Sequence, residues 1–129
     1  NEYRSFPILG VKMSAVKNFE VDQNATFSFV VEYKDNQDLP ISLVGASAKM
    51  QVRDTKGGTK LAFTLNTPNL SDGISIDPTA GKLTIKMTAA QTNKLFYPKS
   101  AYDIMITDSN GNKIKLLEGF LALSRSVTI

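Results

Sequence analysis

The side chains able to move protons or hold ions in this chain are carboxylates and lysines, because it has no histidine and no cysteine. Histidine is the group whose ordinary pKa lies near neutrality and which serves most acid–base and nucleophile-activating sites, so that chemistry is closed. Without thiols there is no thiolate nucleophile, no disulfide framework and no zinc site of the usual cysteine type. Five carboxylates, Asp54, Asp72, Asp77, Asp103 and Glu118, are candidates for a glycosidase-like acid–base pair. Each falls at a turn or in a strand pattern beside lysines or glycines, and no spacing along the chain joins two of them. The expectation is a chain that is not an enzyme and that carries no cofactor and no metal.

Two acidic loops invite an ion-binding reading. Residues 108–112 (DSNGN) have the spacing of the front of a calcium loop, but the bidentate glutamate is missing at the distance such a loop requires. A hairpin turn whose side chains bond their own backbone accounts for the same residues. Asp35 and Asp38 flank a second turn and take the same explanation. Asn24, Ala25 and Thr26 spell a glycosylation acceptor, yet they open a strand pattern in a chain whose first residues lack the apolar core of a secretory signal.

Fifteen basic and twelve acidic residues give a net charge of +3, with the lysines spread along the chain. A nucleic-acid binder shows a basic stripe or interleaved stacking aromatics, so no nucleic-acid partner is expected. No apolar run approaches the roughly 20 residues that span a bilayer, so no membrane partner is expected either. Tryptophan is absent, which removes the commonest platform for stacking sugars, although four tyrosines and seven phenylalanines remain.

The elements that must position any site follow a two-residue period from Lys17 onward. In residues 26–33, Phe27, Phe29, Val31 and Tyr33 alternate with polar positions, the pattern of a half-buried strand. Pro40 makes residues 39–43 an extended connection. Ala46, Ala48, Met50 and Val52 mark a second strand; Leu61, Phe63 and Leu65 a third; Ile74 and Ile76 a short fourth; Leu83, Ile85 and Met87 a fifth. Thr88 to Gln91 reads as a capping box opening a short helix through about Leu95, which crosses between sheets. Tyr102, Ile104 and Ile106 begin the last hairpin, around the turn at Asp108 to Gly111. In its second strand the inward set slips phase at Leu116 and Leu117, the sign of a β-bulge. Seven or eight such strands with one short helix predict an all-β, immunoglobulin-like antiparallel β-sandwich over residues 17–129. Residues 1–16 form an N-terminal arm or edge segment.

Six segments carry a resemblance when taken in order: residues 19–29 (FEVDQNATFSF), 39–45 (LPISLVG), 49–54 (KMQVRD), 76–85 (IDPTAGKLTI), 102–106 (YDIMI) and 116–128 (LLEGFLALSRSVT). The chain resembles the small immunoglobulin-like virion proteins of tailed bacteriophages, the baseplate upper protein N-terminal domain and tail collar adaptor type. Its shared positions are packing and turn positions. Gly45 and Gly81 suit positive φ, Tyr102 suits a buried anchor, and Gly119 suits a bulge or close backbone approach. Asn24 stands where the pattern has glycine, and asparagine also visits the left-handed region.

The resemblance implies a non-enzymatic structural protein of the virion, assembled in the host cytoplasm. It would be an oligomeric tail, baseplate or collar component that anchors fibres or reinforces a joint. Its partners would be other virion proteins and further copies of itself in a ring or cluster. A capsid decoration protein and a host-surface glycan-binding module are the alternatives. The apolar residues of the arm, Tyr3, Phe6, Ile8, Leu9 and Met13, are the candidate subunit contacts.

Overall fold

The computed structural model describes residues 4–9, 15–35, 37–55 and 59–125, with the backbone alone for 4–9. The strands are β1 Arg4–Leu9, β2 Ala15–Val16, β3 Phe19–Asp22, β4 Phe27–Lys34, β5 Ser47–Asp54, β6 Leu61–Asn66, β7 Ile74–Asp77, β8 Lys82–Met87, β9 Lys99–Thr107 and β10 Lys113–Ser124. A one-turn 3-10 helix occupies Leu70–Asp72 and the helix α1 occupies Ala89–Thr92. One sheet has the order β1-β4-β8-β7; the other has β2-β10-β9-β5-β6, with β3 continuing along β10. With β4, β5, β8, β9 and β10 in the places of strands B, C, E, F and G, this is an immunoglobulin-like β-sandwich.

The alternation foreseen in the sequence is what closes the sandwich. Phe29, Val31, Leu83, Ile85 and Met87 from one sheet meet Met50, Val52, Leu65, Ile104, Leu117 and Leu121 from the other, all fully buried. Each such side chain contributes about 1.5–3 kcal/mol by leaving water. Phe19 adds an aromatic cluster, stacked on Phe29 at 4.4 Å and edge-on to Phe27 at 5.5 Å.

The structure departs from the sequence reading in four places. Among the described residues there are ten strands rather than seven or eight, because the stretch before Phe27 supplies three, β1, β2 and β3. These three pair in parallel, β1 with β4 and β2 and β3 with β10, so the sandwich is antiparallel in its body and parallel along that margin. Strands delivered to an edge from the opposite sheet are not joined to their neighbour by a hairpin, and nothing then enforces antiparallel pairing. Leu61, expected inward, is 47% exposed. A register shift against Val52 and Arg53 makes two residues of β6 oppose one of β5 and turns Leu61 out. Finally, α1 stops at Thr92 rather than near Leu95. Its capping box is present, with Thr88 and Gln91 bonding reciprocally. The buried Thr92 hydroxyl then donates to the Ala25 carbonyl at 2.9 Å, tying the helix to the β3–β4 turn.

The backbone positions singled out in the sequence behave as their chemistry requires. Asn24 has φ 66°, Gly45 78° and Gly81 62°. At Gly81 a Cβ would also lie 2.5 Å from the Ile41 carbonyl oxygen, so only glycine fits. No helix among the described residues is long and apolar enough to cross a membrane.

Candidate functional site: the two sides of the β9–β10 ladder

The foreseen bulge sits where β10 shifts register between Lys115 and Leu117. Beyond it, Gly119 pairs with Tyr102 and Glu118 pairs with Asp103. Successive residues of a strand point to opposite faces, so these two rungs look in opposite directions.

On the inner side, Tyr102 is 4% exposed, and its hydroxyl donates to the Lys17 carbonyl at 2.6 Å. That carbonyl reaches the ladder because Gly119 has no side chain; a Cβ there would stand 2.1 Å from the Lys17 oxygen. Lys17 N–H donates to the Glu118 carbonyl and Phe120 N–H donates to Asn18 Oδ1, both at 2.9 Å. These bonds stitch the break between β2 and β3 onto β10. Burial raises the Tyr102 phenol above its ordinary value, so it stays a protonated donor far into alkaline solution.

On the outer side, Asp103 and Glu118 stand directly opposite each other, both half-buried. They lie in a shallow depression of about 320 Å³ that Val16, Gln51, Arg53 and Phe120 also line. Val16 is 68% and Phe120 40% exposed. Like charges opposite one another on a sheet repel. Basic groups offset this: Lys115 pairs with Glu118 at 3.3 Å, and Arg53 lies two residues along β5 from Gln51, which faces Asp103 across the ladder. Arg53 Nη2 donates to Gln51 Oε1 at 2.9 Å, which holds the guanidinium against the sheet. Lys99 lies over the Phe120 ring, 4.3 Å from its centroid. The depression can accept hydrogen bonds at two carboxylates, donate them from Arg53, and offer apolar contact at Val16 and Phe120.

Asp103 and Glu118 are therefore two of the five carboxylates that the sequence left unpaired. The other three are elsewhere: Asp72 in the 3-10 turn, Asp77 at the end of β7, and Asp54 at the end of β5. Asp54 Oδ1 is buried with no hydrogen-bond partner among the described residues, beside a small cavity of about 150 Å³ lined with Lys60, Tyr97 and Lys99. The acidic turns are turns. Asp108 Oδ1 accepts from the N–H groups of Asn110 and Asn112, both at 2.9 Å, and the bond from Asn112 chiefly holds its carboxyl below the usual range. Asp35 accepts from the N–H groups of Gln37 and Leu39 in the same way. Among the described residues no group of three or more histidine, cysteine, aspartate or glutamate side chains could hold a metal.

Of the expected subunit contacts, Phe6, Ile8 and Leu9 lie in β1, where their backbone pairs with Val31, Tyr33 and Lys34. Tyr3 and Met13 lie outside the described residues. The sequence reading did not single out Val16, Gln51, Arg53 or Phe120. Their signal was parity, since each occupies an outward position, but the bulge had to be placed before the strands could be aligned.

No family model matches the chain, and no curated protein matches it. Among solved structures, the extracellular domains 3–5 of Drosophila OTK superpose with a TM-score of 0.35 at 13% identity, covering 84% of this chain; the chain spans 33% of the length of that structure.

Proposed function

We propose that this chain is a non-enzymatic structural protein of a tailed-bacteriophage particle, an oligomeric component of tail, baseplate or collar that joins other virion proteins. The ordered resemblance of residues 19–29 through 116–128 supplies the particle context. The observation that carries the reading is the outer face of β10, β9 and β5, where exposed Val16 and Phe120 border Asp103, Glu118 and Arg53 on a rigid sheet. Protein interfaces combine apolar anchors with charged groups that fix register, and this face offers both. The arm residues Tyr3, Phe6, Ile8, Leu9 and Met13 are proposed as a further subunit contact.

The test is incorporation. A tagged copy should co-purify with intact particles, and Phe120→Asp combined with Val16→Asp should lose incorporation while keeping the circular dichroism of the fold. Full incorporation of that folded variant would overturn the role of this face, and a wild-type copy absent from particles would overturn the reading itself. Capsid decoration is the neighbouring possibility, which labelling in whole particles separates from the tail.

The same depression favours one other reading, direct binding of a host-surface glycan. An exposed aromatic beside carboxylate, amide and guanidinium groups is the combination that packs on a sugar ring while bonding its hydroxyls. Glycan-array binding lost in both Phe120→Ala and Asp103→Asn would favour it; an array with no hits would reject it.

A further inference from the structure

Four strand edges border the two sheets, and three of them are guarded. An open edge is a row of unpaired N–H and C=O groups, which proteins protect with charge, proline or brevity. The sequence of β1 contains Arg4 and Pro7, the β2–β3 margin carries Glu20 and Asp22 and breaks at Lys17 and Asn18, and β7 has only four residues and ends in Asp77. The fourth edge, β6, reads Leu-Ala-Phe-Thr-Leu-Asn, with no charge and no proline. Among the described residues its free side meets only the bridge from Asn66 to Gly73.

The ladder fixes which groups this edge presents. Thr67 N–H donates to the Ala48 carbonyl, so two-residue alternation turns the main-chain groups of Leu65 and Phe63 toward β5. The planar peptides on either side of Phe63 and Leu65 then aim the Ala62 C=O and both main-chain groups of Thr64 outward. Residues 61–65 also read nearly the same in both directions, as Leu, small, Phe, small, Leu. Run antiparallel to itself about Phe63, the strand sets Leu61 against Leu65, Ala62 against Thr64 and Phe63 against Phe63. The two Phe63 residues meet at the axis and no charges are opposed, while Leu61, turned out by the bulge, lies off the inner face that Leu65 occupies.

We propose that β6 is a self-pairing edge, and that its occupant is the β6 of a second copy of this chain related by a two-fold axis through Phe63. Each Thr64 N–H donates to the Ala62 C=O of the second copy, joining two five-stranded sheet paths into one. A two-fold contact is closed, so the edge gives dimers rather than fibres. The short open stretch makes this contact weak in dilute solution and effective where copies are already held close in an assembly. The inference does not depend on the identity of that assembly.

Sedimentation velocity over a wide concentration range, with hydrogen exchange at the Thr64 amide, tests it on the full chain. The expected result is concentration-dependent dimerisation with slowed exchange at Thr64. Thr64→Pro removes the donor at an edge position that tolerates proline, and Thr64→Lys installs the missing guard. Each should weaken dimerisation at least about tenfold, the proline by losing the two symmetry-related bonds and the lysine by placing like charges on the two paired edges. Should the proline variant fail to fold, the lysine variant decides. A wild-type chain that stays monomeric at every concentration, or dimers indifferent to the Thr64 substitutions, would overturn the proposal.

Discussion

Two neighbouring rungs of the β9–β10 ladder have opposite fates. Tyr102 and Gly119 face inward, where one supplies a long polar side chain and the other supplies space, and together they bind the Lys17 carbonyl. Asp103 and Glu118, one residue along each strand, face outward and set two like charges side by side. The inner rung obeys every rule of stability: its aromatic is buried, its hydroxyl is bonded and its glycine is required by a close approach. The outer rung breaks one, since neutral side chains there would hold the sheet at least as well. A position where a local rule is broken without gain to the fold is where function is to be sought.

The largest effect that can sharpen this contrast is at Gly119. Replacement by alanine drives a Cβ into the Lys17 main chain, which cannot step aside without releasing Asn18 and Phe120. A loss of about 3 kcal/mol is expected in urea unfolding, the upper end of overpacking costs. An unchanged midpoint would show that the β2–β3 break is not pinned there.

Tyr102→Phe should cost about 1 kcal/mol, because it removes the hydrogen bond that the buried phenol donates to the Lys17 carbonyl. The same residue sets an alkaline signature. Folding raises the phenol above its ordinary value of 10.0, so the unfolded chain ionises first. This contribution is complete below pH 10 and is lost as pH climbs above it. The wild type should therefore weaken on that side more steeply than the phenylalanine variant; parallel stability curves would sink the assignment.

The smallest effect is on the outer rung. Asp103→Asn removes one of two opposed charges and should leave stability unchanged or raise it by about 0.5 kcal/mol. Under the proposed virion role, incorporation into particles should nonetheless fall. A variant that loses stability as Tyr102→Phe does would mean that both rungs serve the fold and that the contrast is false.

Much of the fold was legible in the residues themselves. The two-residue period of residues 26–33, 46–53 and 82–87, the capping box at Thr88 and the phase slip at Leu116 each depend on neighbours close in sequence, and each recurs in the structure. The positive φ of Asn24, Gly45 and Gly81 was equally visible, because it is a property of single residues. Leu61 was misplaced because a bulge in β6 depends on how that strand meets β5.

The depression was hidden for the same physical reason. Val16, Gln51, Arg53, Asp103, Glu118 and Phe120 come from four strands spread over more than a hundred residues, and only lateral pairing brings them onto one face. Sequence by itself determined the strands of the antiparallel body, their turns and the absence of histidine and cysteine chemistry, all set by local geometry and side-chain type. Tertiary structure decided which carboxylates meet, which glycine admits a carbonyl and which edge is left open. Those facts depend on register and on strand order, and neither is a property of any one segment.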